Sequence, residues 1–380
     1  MSVDDLRSAT GRPHAPARTT TSAGPVPRWC PLTLTVSTIA RFVNAELADH
    51  PVYDGIEVQW FDDATHGTGM LVFLSRREDG RVDYYRDPAL TVDPAGYAIG
   101  GGTGHWGTTT FAASHLEVDD HGVRLHVAFT DVDGRHVEMI ADDRDAGRRR
   151  PGQLLAPFGA EVRDPRSLLL VWLEGFDLLR RGAVAPVVRI DGLEVATGQL
   201  PGAALHGRHL IKAAAPLTVV AVCPDHTGPV PIEPTATGPV ELDATGTAIA
   251  AVLAREGDAE ARIALDPPLP GLELLPEGRP CTGRWTVAVA GQTLTGGRWH
   301  ARRDGAVVAL GLDVTDRWDP PAGLPPLLRV VTRLVPVFRR WPTTYRWRAR
   351  VVLGRTPHLT GAWERTGRHR GNGYRRVTRS

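Results

Sequence analysis

Lysine is almost missing from this chain. Lys212 stands alone among 44 basic residues, the rest being arginine; the skew fits a GC-rich coding sequence, and no function follows from it. Cysteine is nearly as scarce. Cys30, Cys223 and Cys281 lie far apart and are odd in number, which argues against a disulfide framework and a paired-cysteine metal site and favours a reducing, cytoplasmic setting. No apolar run approaches the roughly 20 residues that span a bilayer. Asp4, Asp5, Arg7 and Arg12, with no apolar stretch behind them, do not make a secretory signal. P-loop, H-E-x-x-H and G-x-S-x-G patterns are also missing, so standard nucleotide, zinc-protease and α/β-hydrolase chemistries lack their usual sequence support. GTGHWG (102–107) has the spacing G-x-G-x-x-G. The TTTFAASHLEV behind it reads as a strand, not as the helix whose N-terminus would hold a pyrophosphate. A glycine-rich loop is expected there, with His105 and Trp106 at a barrel mouth, and no cofactor is expected.

What is present is a globular composition, 42% hydrophobic and 23% charged over 380 residues, long enough for one large or two ordinary domains. The net charge is only +1, but it is unevenly spread: from Pro325 to Ser380 fourteen arginines face a single acid, Glu364. The body is therefore acidic and the end basic, which points to an anionic partner for that end or to packing against the acidic body.

The local pattern is that of an all-β, mainly antiparallel fold. Residues 1–28, rich in Ser, Thr, Pro and Ala, cannot bury enough apolar surface to fold and are expected to be disordered. IEVQWF, MLVFLSRRE and RVDYYR are short β-branched and aromatic runs separated by turn residues. Asp79-Gly80, Asp133-Gly134, Asp191-Gly192 and Asp304-Gly305 each divide two strand-like runs, as tight hairpin turns require. Residues 32–47 read as a strand continuing as a short helix, 168–182 as a buried strand ending at Gly175 or a helix, and 248–255 as a helical patch. The expected organisation is a first β domain over 29–223, a Pro- and Gly-rich connection over 224–282, and a second β domain over 283–354 that includes an amphipathic helix (325–341). A basic, flexible tail follows over 355–380. When Gly122 is placed on Gly305, apolar positions coincide, Leu116 with Trp299, Leu125 with Val308 and Phe129 with Leu312, as in two related domains of barrel or sandwich form.

VRLHVAFTDVDGRHVEMIADD and WHARRDGAVVALGLDV are the hairpins on which residues 50–353 resemble the two-domain, lipocalin-like carotenoid hydratase family and its cyclase relatives. The resemblance carries over no catalytic residue. It implies a hydrophobic, isoprenoid- or polyketide-like substrate enclosed between two barrels.

Chemistry of that kind needs little more than one positioned acid and an apolar cavity. EVQWFDDATHG (57–67) supplies Glu57, Asp62 and His66, Tyr85 lies on the next hairpin, and Glu174 and Asp177 interrupt the apolar LLLVWLEGFDLL. These six are the candidate catalytic residues, with solvated or structural roles as the competing reading. Glu57 and Gln59 share one face of their strand and Ile56, Val58 and Trp60 the other, and either face could line a lumen. His126, His136 and Glu138 can share a sheet face and form a cation-binding set, but a solvated face gives the same pattern, and no metal site is expected.

The expected function is binding of a hydrophobic small molecule, with cofactor-independent hydration, cyclisation or isomerisation. The alternatives are a non-catalytic lipid-binding or membrane-surface protein, and a carbohydrate-processing β-sandwich suggested by the tryptophans. On a helical wheel from Leu327, Arg329, Thr332, Arg333, Arg339 and Arg340 fall on one side and Leu328, Val330, Val331, Leu334, Val335, Val337, Phe338 and Trp341 on the other. Such a helix packs its apolar side on the protein or lies in an anionic membrane surface through Arg329, Arg333, Arg339 and Arg340, which would put the protein at the inner membrane face. Nucleic acid is the less expected anion, since no recognition fold is apparent.

Overall fold

The computed structural model describes residues 27–97, 99, 101–158, 165–232 and 238–366. Most of the segment expected to be disordered, and the chain after 366, lie outside the described residues. The fold is all-β and almost wholly antiparallel, built from three sheets.

The first half of the chain supplies two of them. In chain order the strands are β1 (Leu34–Ile39), β2 (Arg41–Glu46), β3 (Tyr53–Asp63), β4 (Gly67–Arg76), β5 (Val82–Arg86) and β6 (Thr103–Thr108). Next come β7 (Ala113–Val118), β8 (Val123–Thr130), β9 (His136–Asp142), β10 (Gly152–Ala156) and β11 (Leu168–Arg180). The series closes with β12 (Val187–Ile190), β13 (Leu193–Glu194), a single helical turn α1 (Ala203–His206), β14 (Arg208–Ala214) and β15 (Leu217–Val222). A ten-stranded sheet runs β1-β15-β11-β14-β2-β3-β4-β5-β6, with β10 added on β11, and a five-stranded sheet runs β13-β12-β9-β8-β7.

The second half makes one nine-stranded meander. It contains β16 (His226–Pro229), β17 (Val240–Leu242), β18 (Ala248–Glu256), β19 (Ala259–Pro270) and β20 (Cys281–Val289). It continues through β21 (Gln292–Asp304), β22 (Val307–Asp316), helix α2 (Pro326–Leu334), β23 (Tyr345–Val352) and β24 (His358–Arg365). Its order, β16-β24-β23-β22-β21-β20-β19-β18-β17, keeps sequence neighbours adjacent except that β16 caps the far edge.

All four Asp-Gly pairs are tight turns with the glycine in the left-handed region, φ +69° at Gly80, +83° at Gly134, +76° at Gly192 and +60° at Gly305, which a side chain resists. Elsewhere the local reading is corrected. Residues 248–255 form strand β18, not a helix, since the stretch pairs along its length with β19 on one side and with β17 on the other. The segment 224–282 carries β16 to β19 and the start of β20, not a bare connection, and 358–365 is a paired strand rather than tail. GTGHWG includes an edge strand, β6, parallel to β5, and Trp106 packs half-buried on Tyr84. Residues 32–47 hold two strands, β1 and β2, with a bend at Ala40 between them and no helix, and 168–180 is one strand that continues through Gly175, φ +56°, instead of ending there. The Gly122 and Gly305 hairpins share a pattern, not a register: Leu116 opposes Leu125, whereas Trp299 opposes Leu312 and not Val308.

The ten-stranded sheet is covered on both faces, which is why β4 carries the unbroken apolar run MLVFL, while β3 alternates Ile56, Val58 and Trp60 with Glu57 and Gln59. Because side chains alternate along a strand, Val43, Ile56, Val58, Met70, Val72 and Tyr85 point to one side and meet Leu125, Val127, Phe129 and Met139 of the five-stranded sheet. Phe42, Phe61, Leu71, Phe73 and Tyr84 point to the other, where the larger core continues into the nine-stranded sheet through Ile263, Trp285 and Leu312. At its margin, buried Arg180 pairs with buried Asp143 (Nε to Oδ2, 3.0 Å; Nη2 to Oδ1, 3.0 Å) and also donates to the carbonyls of His121, Asp143 and Gly147, riveting β11 to the loop after β9.

The expected helix 325–341 is shorter: α2 ends at Leu334 and a 3-10 turn, Pro336–Arg339, follows. Pro336 has no N–H with which to continue the ladder. The start of α2 seats on Gly152, where a β-carbon would lie 2.7 Å from Pro325 Cδ. Among the described residues, no helix is long and apolar enough to cross a membrane.

Candidate functional site

Strand register assembles the site from three distant stretches. Lys212 on β14 opposes Asn44 on β2, Asn44 opposes Glu57 on β3, Glu57 opposes Phe73 on β4, and Phe73 opposes Tyr84 on β5. The row lies on the face turned away from the five-stranded sheet, so the Glu57/Gln59 face is the lumen. The curved sheet wraps this face into a half-barrel around a cavity of about 1720 Å³, larger than the ~300–1,000 Å³ of common small-molecule pockets. Most of its wall is apolar: Val36, Ile39, Phe42, Phe73, Leu154, Phe158, Leu169, Val171, Leu173, Phe176 and Leu217. Val331, Val335, Val337 and Phe338, from α2 and the turn after it, close one side.

Into that wall is set a directed chain of hydrogen bonds. Lys212 Nζ donates to Asn44 Oδ1 and to Glu46 Oε1, both at 3.2 Å. Asn44 Nδ2 donates to Glu57 Oε2 at 3.2 Å. From the other side Tyr97 Oη donates to Gln59 Oε1 at 3.3 Å, and Gln59 Nε2 donates to Glu57 Oε1 at 2.7 Å. Both arms of the chain therefore end on the Glu57 carboxylate. Glu57 is only 7% exposed, and burial pushes its carboxyl up to about 7 against the opposing pull of Gln59, Lys212 and Asn44. Desolvation wins because both amides are neutral and the cation sits one residue away. Tyr97, on the cavity wall, is likewise pushed up by burial and by the nearby Glu57.

A second polar station lies about 20 Å along β3, six residues on at ~3.3 Å each. There His66 Nδ1 sits 3.0 Å from Asp63 Oδ2, and its Nε2 is 3.9 Å from Glu256 Oε1 of β18. Glu256 Oε2 accepts from the Thr38 N–H at 2.8 Å. Burial raises Asp63, but hydrogen bonds from the His66 N–H and ring hold it below the usual range. His66 and Glu256 both line the cavity.

The candidate residues thus separate. Glu57 and His66 share the cavity. Asp62 is exposed at the hairpin end, accepting from Thr68 Oγ1. Tyr85 points into the opposite core, where its ring packs on Phe129 and its oxygen accepts from the Val132 N–H; burial drives it up to about 12. Glu174 is half-buried on β11 and does not line the cavity. Asp177 is buried beside Arg208 (3.5 Å) and accepts from the Leu178 N–H. On the outer face of the five-stranded sheet, His126 Nε2 meets Glu138 at 3.3 Å, but Arg189 takes the other carboxylate oxygen at 3.0 Å.

Asn44, Tyr97, Lys212 and Glu256 were not among the candidates. For Lys212 a signal existed: a lone lysine inside the apolar strand HLIKAAAP is a charge that must be satisfied. Comparison with family models, with curated proteins and with solved structures returns no match. The resemblance to the hydratase and cyclase group rests on its hairpins alone.

Proposed function

We propose that this protein binds a large hydrophobic molecule, isoprenoid- or polyketide-like in class, in the half-barrel cavity and acts on it by acid–base chemistry centred on Glu57. The observation that carries the reading is the buried Glu57 carboxyl, pushed up to about 7, on the wall of a mainly apolar cavity whose other carboxyls are Glu46, Asp54, Asp93 and Glu256. Such a group holds a proton for part of the time at pH 7. It can pass the proton to an alkene carbon or a hydroxyl oxygen of a bound ligand. The carboxylate left behind is met by donors already aimed at it from Asn44 and Gln59, with Lys212 behind, so little reorganisation is needed. Apolar walls keep water from quenching a cationic intermediate early. Hydration, cyclisation and isomerisation all fit this scheme, and His66, held by Asp63, provides a second proton acceptor at the far station.

Seven of the ten tryptophans, Trp172, Trp285, Trp299, Trp318, Trp341, Trp347 and Trp363, are buried, so they support a carbohydrate platform less well than a core. The test is native mass spectrometry of the purified protein for a copurified apolar molecule, followed by turnover of that molecule by wild type and Glu57→Gln. Retained binding with turnover lost supports the reading. Unchanged turnover in Glu57→Gln overturns the role of Glu57, and failure to take up any apolar molecule overturns the cavity's role.

A further inference from the structure

Helix α2 has two kinds of surface. At i, i+4 spacing, side chains fall into rows. Leu328 and Thr332 form a buried row, and Val331 and Val335 line the cavity. Thr332 was expected on the polar side; its hydroxyl donates to the Arg329 carbonyl at 3.2 Å, which satisfies it within the helix and lets it turn inward. The remaining rows therefore face out. Val330 and Leu334 are 51% and 66% exposed, and Arg329 and Arg333 run beside them, also exposed. Arg339 and Arg340 extend the basic rim.

Among the described residues no carboxylate pairs with any of these four arginines; Arg329 donates to the carbonyls of Ala322 and Leu324, and Arg339 to that of Arg333. Between Asp319 and Glu364 the sequence contains no acid. A single exposed valine would need no explanation. An exposed apolar row flanked by four guanidinium groups that meet no carboxylate among the described residues, on a helix whose inner side walls an apolar cavity, has the chemistry of an anionic lipid interface. The apolar side chains dip below the headgroups while the arginine stems reach the phosphates.

We propose that the outer face of α2, through Val330 and Leu334 with Arg329, Arg333, Arg339 and Arg340, docks on an anionic bilayer and so brings the cavity's helical wall to the phase in which a hydrophobic ligand dissolves. The docking surface stands independently of Glu57; only the ligand-transfer clause rests on the proposed cavity function.

The test is co-sedimentation of the full chain with phosphatidylcholine vesicles, with and without one-third phosphatidylglycerol. Wild type is expected to sediment with the anionic vesicles and not with the neutral ones. Val330→Asp with Leu334→Asp should lower the bound fraction at least tenfold, and Arg333→Glu with Arg340→Glu should do the same. All four side chains are exposed, so far-UV circular dichroism should not change. Uptake of the neutral apolar probe N-phenylnaphthylamine without vesicles should also be unaffected, which separates failure of docking from failure of the cavity reading. Absence of binding to anionic vesicles overturns the proposal. So does binding that survives Val330→Asp with Leu334→Asp, since the attraction would then belong to charge elsewhere, including the arginines after residue 366.

Discussion

Glu57 and Asp143 are both buried carboxylates, one on the ten-stranded sheet and the other just after β9 of the five-stranded sheet, and their surroundings drive them in opposite directions. Burial alone raises either acid. At Asp143 the guanidinium of Arg180 makes a two-pronged contact and, with the N–H groups of Arg180 and Val123, outweighs burial and holds the carboxyl below its usual range. At Glu57 the partners are two amides, with the lone lysine one residue further off, and burial prevails. A paired, fully ionised acid at a closed seam is a fastener. An acid left near neutrality on the wall of a cavity can still take up and release its proton.

The largest effect is expected at Arg180. Arg180→Met leaves Asp143 buried without its cation and should cost about 3–5 kcal/mol, read as a lower urea midpoint; adding Asp143→Asn should recover part of it. If Arg180→Met were harmless, the seam would not depend on the pair. The intact pair contributes stability that is present above the ordinary aspartate range and is lost as pH falls through the depressed value of Asp143.

Glu57 should behave in the reverse sense. Its carboxyl rises from 4.5 to about 7, so the folded state holds the proton more tightly than the unfolded chain. The cost of ionising it is absent below pH 4.5 and complete above pH 7, at about 3 kcal/mol as an upper limit. Glu57→Gln should therefore raise the urea midpoint at pH 8 and leave it unchanged at pH 4. Equal effects at both pH values would show that Glu57 is not held near neutrality.

Lys212→Met sharpens the contrast at smaller cost, about 1 kcal/mol or less for a partly exposed pair. With the cation gone, Glu57 should titrate higher still, followed by NMR of a carboxyl-labelled glutamate; a downward move would mean that the hydrogen-bond chain has been misassigned. The smallest effect belongs to His126→Ala. Its pairing with Glu138 is on the surface, and removal should change stability by less than about 0.5 kcal/mol.

The unequal legibility of these features has a physical cause. The hairpin turns could be read because a left-handed glycine is a local demand, met within four residues. Glu57 could be named as a candidate because its strand alternates, but alternation does not say which face is inside. That was decided by the five-stranded sheet covering Ile56 and Val58. The hydrogen-bond chain joins residues 44, 57, 97 and 212, and no local pattern encodes a register between strands so far apart. The reading of 248–255 as a helix shows the limit from the other side: AIAAVLAR is apolar enough to satisfy either period, and only pairing with β19 and β17 settles it. The α2 wheel erred by a rotation, because it counted threonine as polar when its hydroxyl can bond to its own helix.

A lysine-specific protease has a single bond to cut in the whole chain, after Lys212, in the middle of a strand paired on both sides. Cleavage must await the parting of β14 from β2 or β11, so the appearance of two fragments is a clock for the opening of the half-barrel.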